Sequence, residues 1–548
     1  MAGVFMRPMS TSVALLGLSA VVAVLIGLPV ASVLTNIFRG GTSAVWQHLA
    51  STVLPEYVAN TLWLCAVVGL GVVVVGVTTA WLTAMHQFPG KRFFEWALVL
   101  PMAVPSYVLA YVYTDFLQFV GPVQSALREF FGWTRADYWF PDVRSLGGAA
   151  VLFVFVLYPY VYLTARTAFI ERASGMQEAS RTLGVGPWRS FFRVSLPLAR
   201  PAVAAGTALA LMETLADYGA VSYFGVQTFT TGIYRAWFSL GDRIAAAQLA
   251  AALLGFVALL LVFEHVSRGR ARFHNTTGRN RPMVGSALRG IPALLAFVTC
   301  ALPVTIGFVL PGGLLLRLAL IEGDAQFGIQ FFRLARNSFI LAGVTALLAV
   351  LMALLLAYGA RLSKGRLADA LNRVAGLGYA VPGSVIAVGV LIPVTQLDNW
   401  LAAQWLSWFG VNPGLLLTGG IAALVYAYLV RFLAVALQTV NASLSKVTPA
   451  MDEAARSLGE AAPGILRRVH LPMLRGSLLT AALLVFVDVM KELPATLVMR
   501  PFNFDTLATQ AYVLASDERL AEASTASLAI VAVGLLPLIV LSCQMMQK

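Results

Sequence analysis

Long apolar stretches separated by short polar segments dominate the hydrophobic pattern of this chain. A helix needs about 20 predominantly apolar residues to cross the hydrocarbon core of a bilayer. Because lipid offers no hydrogen-bond partner to backbone amides, such stretches must be helical. The pattern predicts an all-α integral membrane protein with twelve transmembrane helices. They are predicted near residues 12–37, 57–84, 96–120, 147–168, 198–223, 245–263, 291–310, 337–360, 371–395, 414–436, 474–498 and 523–546.

Composition agrees with this assignment and excludes an ordinary soluble protein. Of 548 residues, 59% are hydrophobic and only 11% are charged, and the mean hydropathy is +0.80. The 38 Lys and Arg residues exceed the 25 Asp and Glu residues, giving a net charge of +13. Basic membrane proteins hold such an excess in cytoplasmic loops beside anionic lipid. We therefore expect the lipid bilayer, and not nucleic acid, as the environment of this charge.

Charge also predicts the orientation of the chain. When the loops are numbered alternately, one set contains 26 Lys and Arg residues and the other contains 11. The loops with more positive charge face the cytoplasm in most membrane proteins. Both termini are therefore predicted to be cytoplasmic.

The chain contains an internal repeat. Asn60 aligns with Asn337 and Pro105 with Pro382 at a shift of 277 residues, and from Glu178 onwards the shift is 275. The repeated proline predicts a bend in the third span of each half. Six spans in each copy predict two parallel six-helix repeats. We divide the chain into a first half at 1–263, a basic cytoplasmic linker at 264–290 and a second half at 291–548.

One motif occurs in the basic loop between the fourth and fifth spans of each half, at 176–197 and 451–472. In both copies a glycine follows the glutamate by six residues, and a proline follows it by nineteen. The small residues would let a short helix lie close to a partner, and the glycine permits a turn. The motif residues are Glu178, Ala179, Ser180 and Gly184 in the first copy, and Glu453, Ala454, Ala455 and Gly459 in the second.

This motif resembles the EAA loop of ABC importer permeases. Val194 and Val469 occupy the family's isoleucine position, and Ser180 replaces the family's second alanine. The resemblance implies the type I ABC importer permease fold. It also implies that each loop is a coupling helix that docks in a groove of an ATPase subunit.

The whole chain is most similar to the fused, twelve-span permeases for ferric iron. The strings that carry this likeness are Glu213 to Gly219, Thr228 to Trp237, Asp488 to Thr496 and Arg500 to Ala508. The resemblance implies a bacterial inner-membrane protein, two copies of an ATPase on the cytoplasmic side and a periplasmic substrate-binding protein. It implies no cofactor on this chain, with ATP and Mg bound by the partner ATPase.

The sequence does not encode the motor itself. No GxxxxGK[ST] phosphate-binding loop occurs, and no nucleophile, general base or stable metal cluster can be assembled from its motifs. We expect a permease subunit that is not an enzyme.

Carboxylates occur in the fifth span of each half, where charges are costly and commonly functional. Glu213 and Asp217, and likewise Asp488 and Glu492, are four residues apart and are predicted to share a helix face. With Tyr218, these carboxylates suit a transient route for ferric iron, a hard cation that prefers oxygen ligands. A structural role is the alternative, with Lys491 neutralising Asp488.

Two other functions stay open from sequence alone. The same class of importer could carry thiamine, a polyamine or an oxyanion. An ion-coupled secondary transporter also uses repeated helices and intramembrane carboxylates. The duplicated coupling loop argues against the secondary transporter, because such a carrier has no motor to dock.

Overall fold

The computed structural model describes residues 8–36, 38, 47, 51–182, 186–268, 286–322, 328–363 and 365–546. In the first half the helices are α1 (Pro8–Asn36), α2 (Leu54–Met85), α3 (Lys91–Ala97), α4 (Ser106–Leu117), α5 (Pro122–Phe131), α6 (Leu146–Thr182), α7 (Pro187–Ser190), α8 (Leu196–Ala216), α9 (Gly219–Tyr223), α10 (Phe229–Tyr234) and α11 (Arg243–Arg268). A 3-10 turn lies at Leu100–Ala103, and π turns lie at Phe191–Ser195 and Arg235–Ser239.

The second half has a similar order of elements. Its helices are α12 (Ile291–Val304), α13 (Leu310–Arg317), α14 (Ile329–Ser363), α15 (Arg366–Ala375), α16 (Gly383–Phe409), α17 (Ala422–Leu444), α18 (Pro449–Ser457), α19 (Ala462–Ile465), α20 (Leu471–Met490), α21 (Pro494–Met499), α22 (Leu507–Ser516) and α23 (Leu520–Met546). A 3-10 turn lies at Leu377–Ala380, and π turns lie at Thr305–Val309, Leu318–Glu322 and Leu466–His470. Two-residue strands, β1 (His86–Gln87) and β2 (Ser286–Ala287), pair in parallel.

The predicted all-α membrane architecture is confirmed. Among the described residues, eleven helices are long and apolar enough to cross a membrane. The number is twelve if a bent pair, Lys91–Ala103 and Ser106–Phe131, whose two parts meet at 91°, is counted as one span. Most of the predicted linker at 264–290 lies outside the described residues.

The repeated prolines break the third span of each half completely. Pro105 and Pro382 have extended backbone ψ angles of 142° and 143°, and each stands between a 3-10 turn and the next helix. Proline lacks the amide that would continue the helix, and it disfavours helical geometry in the preceding residue. The predicted bend is thus a helix end followed by a new helix start.

The chain forms two compact units, each made of three segments. Unit 1 contains residues 1–43, 233–251 and 328–510. In it α1 packs against α14, α15 and α16, and α17 packs against α14 and α20. A Cβ atom on Gly389 of α16 would collide with the carbonyl oxygen of Pro29 in α1. Small residues permit this close approach of two membrane helices.

Unit 2 contains residues 44–232, 252–327 and 511–548. Here α2 packs against α6 and α8, α12 packs against α2 and α3, and α23 packs against α13 and the 3-10 turn at Leu100–Ala103. Unit 1 therefore contains α1 from the first half of the sequence, and unit 2 contains α12 and α23 from the second half. The units follow spatial contacts, whereas the division at 263 and 291 follows the order of the repeats, so that division stays a prediction.

The internal repeat is visible in matched hydrogen bonds. In unit 2 the side-chain amide of Asn60 donates to the carbonyl of Gln227 at 2.9 Å. In unit 1 the amide of Asn337, the residue aligned with Asn60, donates to the carbonyl of Asp505 at 3.1 Å. The aligned asparagines thus have the same role in both copies. Each joins an apolar helix, by a hydrogen bond, to the loop that follows the fifth span.

Candidate coupling and translocation sites

The second coupling loop forms a short helix, α18, with one face exposed and the other packed on its own unit. Glu453 and Ala454 are exposed, and the adjacent Leu458 is 85% exposed, whereas Ala455 is buried. Gly459 follows the helix with a φ of 88°, a left-handed conformation that glycine adopts without steric cost. An exposed leucine beside a glutamate is a suitable contact surface for another protein.

Asp452, which sequence reasoning did not single out, fixes the buried face of α18. Its carboxylate accepts a hydrogen bond from Arg361 Nε at 2.8 Å and lies 2.7 Å from His470 Nε2. Arg361 also donates to the carbonyls of Leu444 and Val447 at 3.0 and 2.9 Å. The side chains of α14 and of the turn before α20 therefore hold the coupling helix from both sides.

Burial acts to raise the pKa of Asp452, but hydrogen bonds and positive charge from Arg361 and His470 outweigh it and lower the pKa below its ordinary value. The carboxylate is therefore ionised at neutral pH. His470 falls within the loop predicted at 451–472, and the structure places it fully buried, in the network with Asp452.

The first coupling loop is built differently. Helix α6 continues without a break from the membrane through Thr182, so Glu178, Ala179 and Ser180 are part of one long helix. In the second half, by contrast, residues 445–448 separate α17 from α18. Gly184 lies outside the described residues.

The first-half carboxylates lie at the end of α8. Helix α8 ends at Ala216, and the chain leaves the helix at Asp217, whose φ of −68° is still helical but whose ψ of 135° is extended. The Asp217 carboxylate accepts hydrogen bonds from the amides of Ala220 and Val221 at 2.9 and 3.3 Å, and from the hydroxyl of Ser106. Such side-chain bonds to nearby amides compete with continuation of the helix.

The second-half carboxylates end α20 in the same way. Glu492 accepts hydrogen bonds from the amides of Ala495 and Thr496 at 2.9 and 3.1 Å, at the start of α21. Pro494 cannot continue the preceding helix, so Glu492 also falls beyond the helix end. Unlike Asp217, Glu492 forms an ion pair, with Arg431 Nη1 at 3.1 Å.

The two remaining carboxylates are half-buried. Asp488 forms an ion pair with Lys491 at 3.0 Å, as the structural interpretation predicted. Glu213 lies one turn before the end of α8, and Tyr218 lies directly after Asp217, beside Tyr512 at a ring separation of 6.0 Å. Among the described residues, no group of three His, Cys, Asp or Glu side chains has a geometry that could hold a metal ion.

Comparison with known proteins identifies the class. Residues 73–272 match the family model of the binding-protein-dependent transport system inner membrane component. The Fe(3+)-transport system permease protein FbpB 2 of Haemophilus influenzae is 26% identical over 94% of this chain and 96% of its own length.

Two further relatives support the same class. The ferric transport system permease protein FbpB of Actinobacillus pleuropneumoniae is 23% identical over 91% of this chain and 73% of its own length. The molybdenum transport system permease protein ModB of Escherichia coli strain K12 is 30% identical over 206 residues, which cover 36% of this chain and 87% of ModB.

ABC importer permeases are membrane subunits without enzyme activity of their own, and they work with an ATPase and a substrate-binding protein. This chain therefore belongs to the family of binding-protein-dependent transport system inner membrane components.

Proposed function

We propose that this chain is the permease of a ferric-iron importer of the bacterial inner membrane, and that it moves Fe(III) into the cytoplasm by alternating access. The observation that carries the proposal is the similarity to the Fe(3+)-transport permease of Haemophilus influenzae, which extends over nearly the full length of both chains. A match of this extent includes both repeats and both broken fifth spans.

The duplicated coupling loops support a motor of two ATPase copies, one beneath each loop, with ATP and Mg bound there. The excess of Lys and Arg in these loops supports a cytoplasmic position for them and for both termini. A periplasmic binding protein would deliver iron to the opposite side. Closure of the ATPases would draw the coupling helices together and open the permease outwards.

The polar groups that end α8 and α20 are the proposed route for the cation. Carboxylate and hydroxyl oxygens suit a hard cation such as Fe(III). A route has to release its cargo, so the interactions along it must be weak or transient. Of the residues considered from sequence, Glu213, Asp217, Tyr218 and Asp488 are the proposed pathway residues, whereas Glu492, which pairs with Arg431 at 3.1 Å, takes the structural role.

An oxyanion is the second candidate cargo, favoured by the 30% identity to the molybdenum permease ModB. That match covers 36% of this chain, whereas the match to the Fe(3+) permease covers 94%. The binding protein selects the cargo in importers of this kind, so a transport assay has to include it.

Uptake by a reconstituted complex tests the proposal. Proteoliposomes would contain this chain, its ATPase and its binding protein, and radiolabelled Fe(III) would be supplied with thiamine, putrescine or molybdate as competitors. We expect uptake that needs all three proteins, resists the competitors and stops with a hydrolysis-dead ATPase. Transport of a competitor instead of iron would contradict the cargo, and uptake driven by an ion gradient without ATP would contradict the class.

A further inference from the structure

The repeat offers an internal comparison of two aligned carboxylates, Asp217 in unit 2 and Glu492 in unit 1. Both follow a helix end and both accept bonds from the amides of a short helix. Glu492 has 2% of its side chain exposed and is neutralised by Arg431. Among the described residues, no Lys, Arg or His side chain forms an ion pair with Asp217. Both carboxylates thus follow a helix end and accept amide hydrogen bonds, but only Glu492 is neutralised by an ion pair.

Packing at the proline break accounts for this difference. Ser106 follows Pro105, and its hydroxyl donates to Asp217. The aligned residue in the second half is Gly383, and a Cβ atom there would collide with the guanidinium of Arg431 and with Glu492. Glycine therefore leaves the space that the arginine fills. In the first half a serine takes the place of the cation.

Several tyrosines lie on or near the two segments that the Ser106–Asp217 hydrogen bond joins, and we name this group the tyrosine cluster. Its rings are in contact, with centroid separations of 4.6 Å for Tyr111 and Tyr223, 5.9 Å for Tyr107 and Tyr111, and 6.0 Å for Tyr218 and Tyr512. The hydroxyl of Tyr512 lies 3.2 Å from that of Ser222. The members of the tyrosine cluster are Tyr107, Tyr111, Tyr218, Tyr223 and Tyr512.

The second half does not repeat this cluster. Leu493 aligns with Tyr218, Val498 with Tyr223 and Val388 with Tyr111. Beside Glu492, the hydroxyl of Thr496 donates to the carboxylate at 2.7 Å, and the hydroxyl of Tyr428 lies 2.5 Å from that of Thr496. The carboxylate of Glu492 thus has a cation and hydroxyl partners, whereas the tyrosine cluster lies near the carboxylate that has no ion pair.

Tyr111 lies at the centre of this cluster, and its ring contacts those of Tyr107 and Tyr223. Its side chain is fully buried, and among the described residues its hydroxyl has no hydrogen-bond partner. The hydroxyl of Thr114, one turn along α4 and 1% exposed, also has no partner in the described part of the chain. Buried polar groups are nearly always satisfied, so these two hydroxyls are available as oxygen ligands for an ion that enters the cluster.

The positive charge nearest the cluster lies on its exposed side. Arg144 donates to the hydroxyl of Tyr223 at 3.3 Å and lies over its ring at 4.8 Å, and it is 4.0 Å from Glu518. Glu518 is 80% exposed, so this pair is at the outer edge of the cluster. It does not pair with Asp217.

We propose that Asp217, Ser106 and the tyrosine cluster form a transient site for a hard, trivalent cation, and that Glu492 is a structural ion-pair residue that binds no cargo. The carboxylate supplies the charge, and the hydroxyls replace part of the hydration shell of the ion. The inference rests on the proposed function, since Fe(III) is the cation that the site would serve. It adds that only one of the two aligned carboxylates takes part.

Binding of Tb(III) to the purified permease tests the site without any transport. Tb(III) is a hard, oxygen-seeking trivalent ion, and its emission increases when a nearby tyrosine is excited. We expect saturable emission from the wild type that is lost in Asp217→Asn. Tyr111→Phe, which removes one oxygen and keeps the ring, should weaken binding roughly tenfold, as expected for one interaction with a charged group.

Two variants serve as matched controls. Glu492→Gln changes the aligned carboxylate, and Tyr158→Phe removes another fully buried hydroxyl that has no partner among the described residues but lies outside the cluster. Both should bind Tb(III) like the wild type. Size-exclusion chromatography would confirm that each variant folds, and Ser106→Gly together with Tyr111→Phe carries the test if Asp217→Asn does not fold.

The outcomes separate this inference from the proposed cargo. Tb(III) binding that is absent from the wild type, unchanged in Asp217→Asn or equally lost in Glu492→Gln would overturn the site, even if the wild type imports iron. Binding that depends on Asp217, in a permease whose complex fails to import Fe(III), would support the cation site and contradict ferric iron as the cargo.

Discussion

Single residues at aligned positions of the repeat differ in ways that follow from their immediate neighbours. Gly383 and Ser106 occupy the same place, yet one leaves room for a guanidinium and the other donates a hydroxyl to a carboxylate. Asp452 has two neighbours, Arg361 and His470, that no sequence motif predicted. Each of these differences can be tested by a single substitution.

We expect Gly383→Ser to destabilise unit 1. The added side chain would displace Arg431 from Glu492 and leave a buried carboxylate without its cation, at a cost of about 3 kcal/mol. Thermal unfolding in detergent would measure the loss. The reverse substitution, Ser106→Gly, creates no collision and should change stability by less than about 1.5 kcal/mol; an equal loss in both variants would contradict the explanation.

Stability should also depend on pH through Asp452. Its pKa is lower in the folded protein than in the unfolded chain, where it is about 3.9. The stabilisation is therefore fully present above pH 4 and is lost as the pH falls through the folded-state pKa. Asp452→Asn should cost about 2 kcal/mol at pH 7, and its difference from the wild type should shrink below pH 4.

Melting temperatures of both proteins between pH 3 and pH 7 would test this prediction. Glu460→Gln is the control, because Glu460 pairs with the exposed Arg468, and exposed pairs contribute about 0–1 kcal/mol. A difference between Asp452→Asn and the wild type that is independent of pH would exclude the ionised carboxylate as its cause.

At the scale of elements, the two predicted coupling regions differ in how they are connected to the preceding membrane helix. In the first half α6 continues directly into the EAA residues, whereas in the second half α18 is a separate helix fixed by Asp452 and Arg361. Movement of α6 would carry its coupling residues directly. Movement of α18 passes through side-chain contacts instead.

Gly459→Val should uncouple ATP hydrolysis from uptake. A β-branched residue at a φ of 88° costs roughly 1–2 kcal/mol, so the end of α18 would change its course. Transported substrate per ATP hydrolysed should fall several-fold while the complex still assembles. Asn tolerates the left-handed conformation, so Gly459→Asn should couple almost normally. Unaltered coupling in Gly459→Val would argue against a docking role, and the same substitution is predicted to act at Gly184.

The sequence predicted the presence of the membrane helices better than the residues at which they end. The spans, the repeat and the proline breaks follow from hydropathy and from aligned residues, because burial in lipid constrains them strongly. The end of α8 was missed, since it depends on Asp217 accepting amide hydrogen bonds. The tyrosine cluster and the Arg361–Asp452 pair were missed because their members come from distant segments. The available signal for that pair was a basic residue at the end of a membrane helix, Arg361, together with an acidic residue in another predicted cytoplasmic loop, Asp452.

At the scale of the whole molecule, each unit contains a span from the other half of the sequence. Helix α1 packs on helices of the second half, and α12 packs on helices of the first. Such an arrangement could not be predicted from the linear order of spans, because sequence neighbours are usually neighbours in space. Close contacts at small residues, such as Gly389 with Pro29, fix it.

Residues 1–263 and 291–548 should therefore co-purify when expressed as separate chains. The packing of α1 in unit 1, and of α12 in unit 2, would hold them together without the linker. An affinity tag on either chain would recover both. Gly389→Leu should reduce recovery by forcing α1 away from α16, and halves that purify separately in the absence of this substitution would contradict the exchanged packing.

Because α1 packs on helices of the second half, unit 1 can be completed only late in the synthesis of the chain. Helix α1 ends at Asn36, but its contact at Gly389 is made only after more than three hundred further residues. At about 5–20 residues per second, this takes on the order of 20–70 s. Throughout that time the first helix has only lipid and early helices as neighbours. The largely apolar surface of α1 is compatible with contact to lipid during this time. The packing of α1 in unit 1 is completed only after α16 has been synthesised.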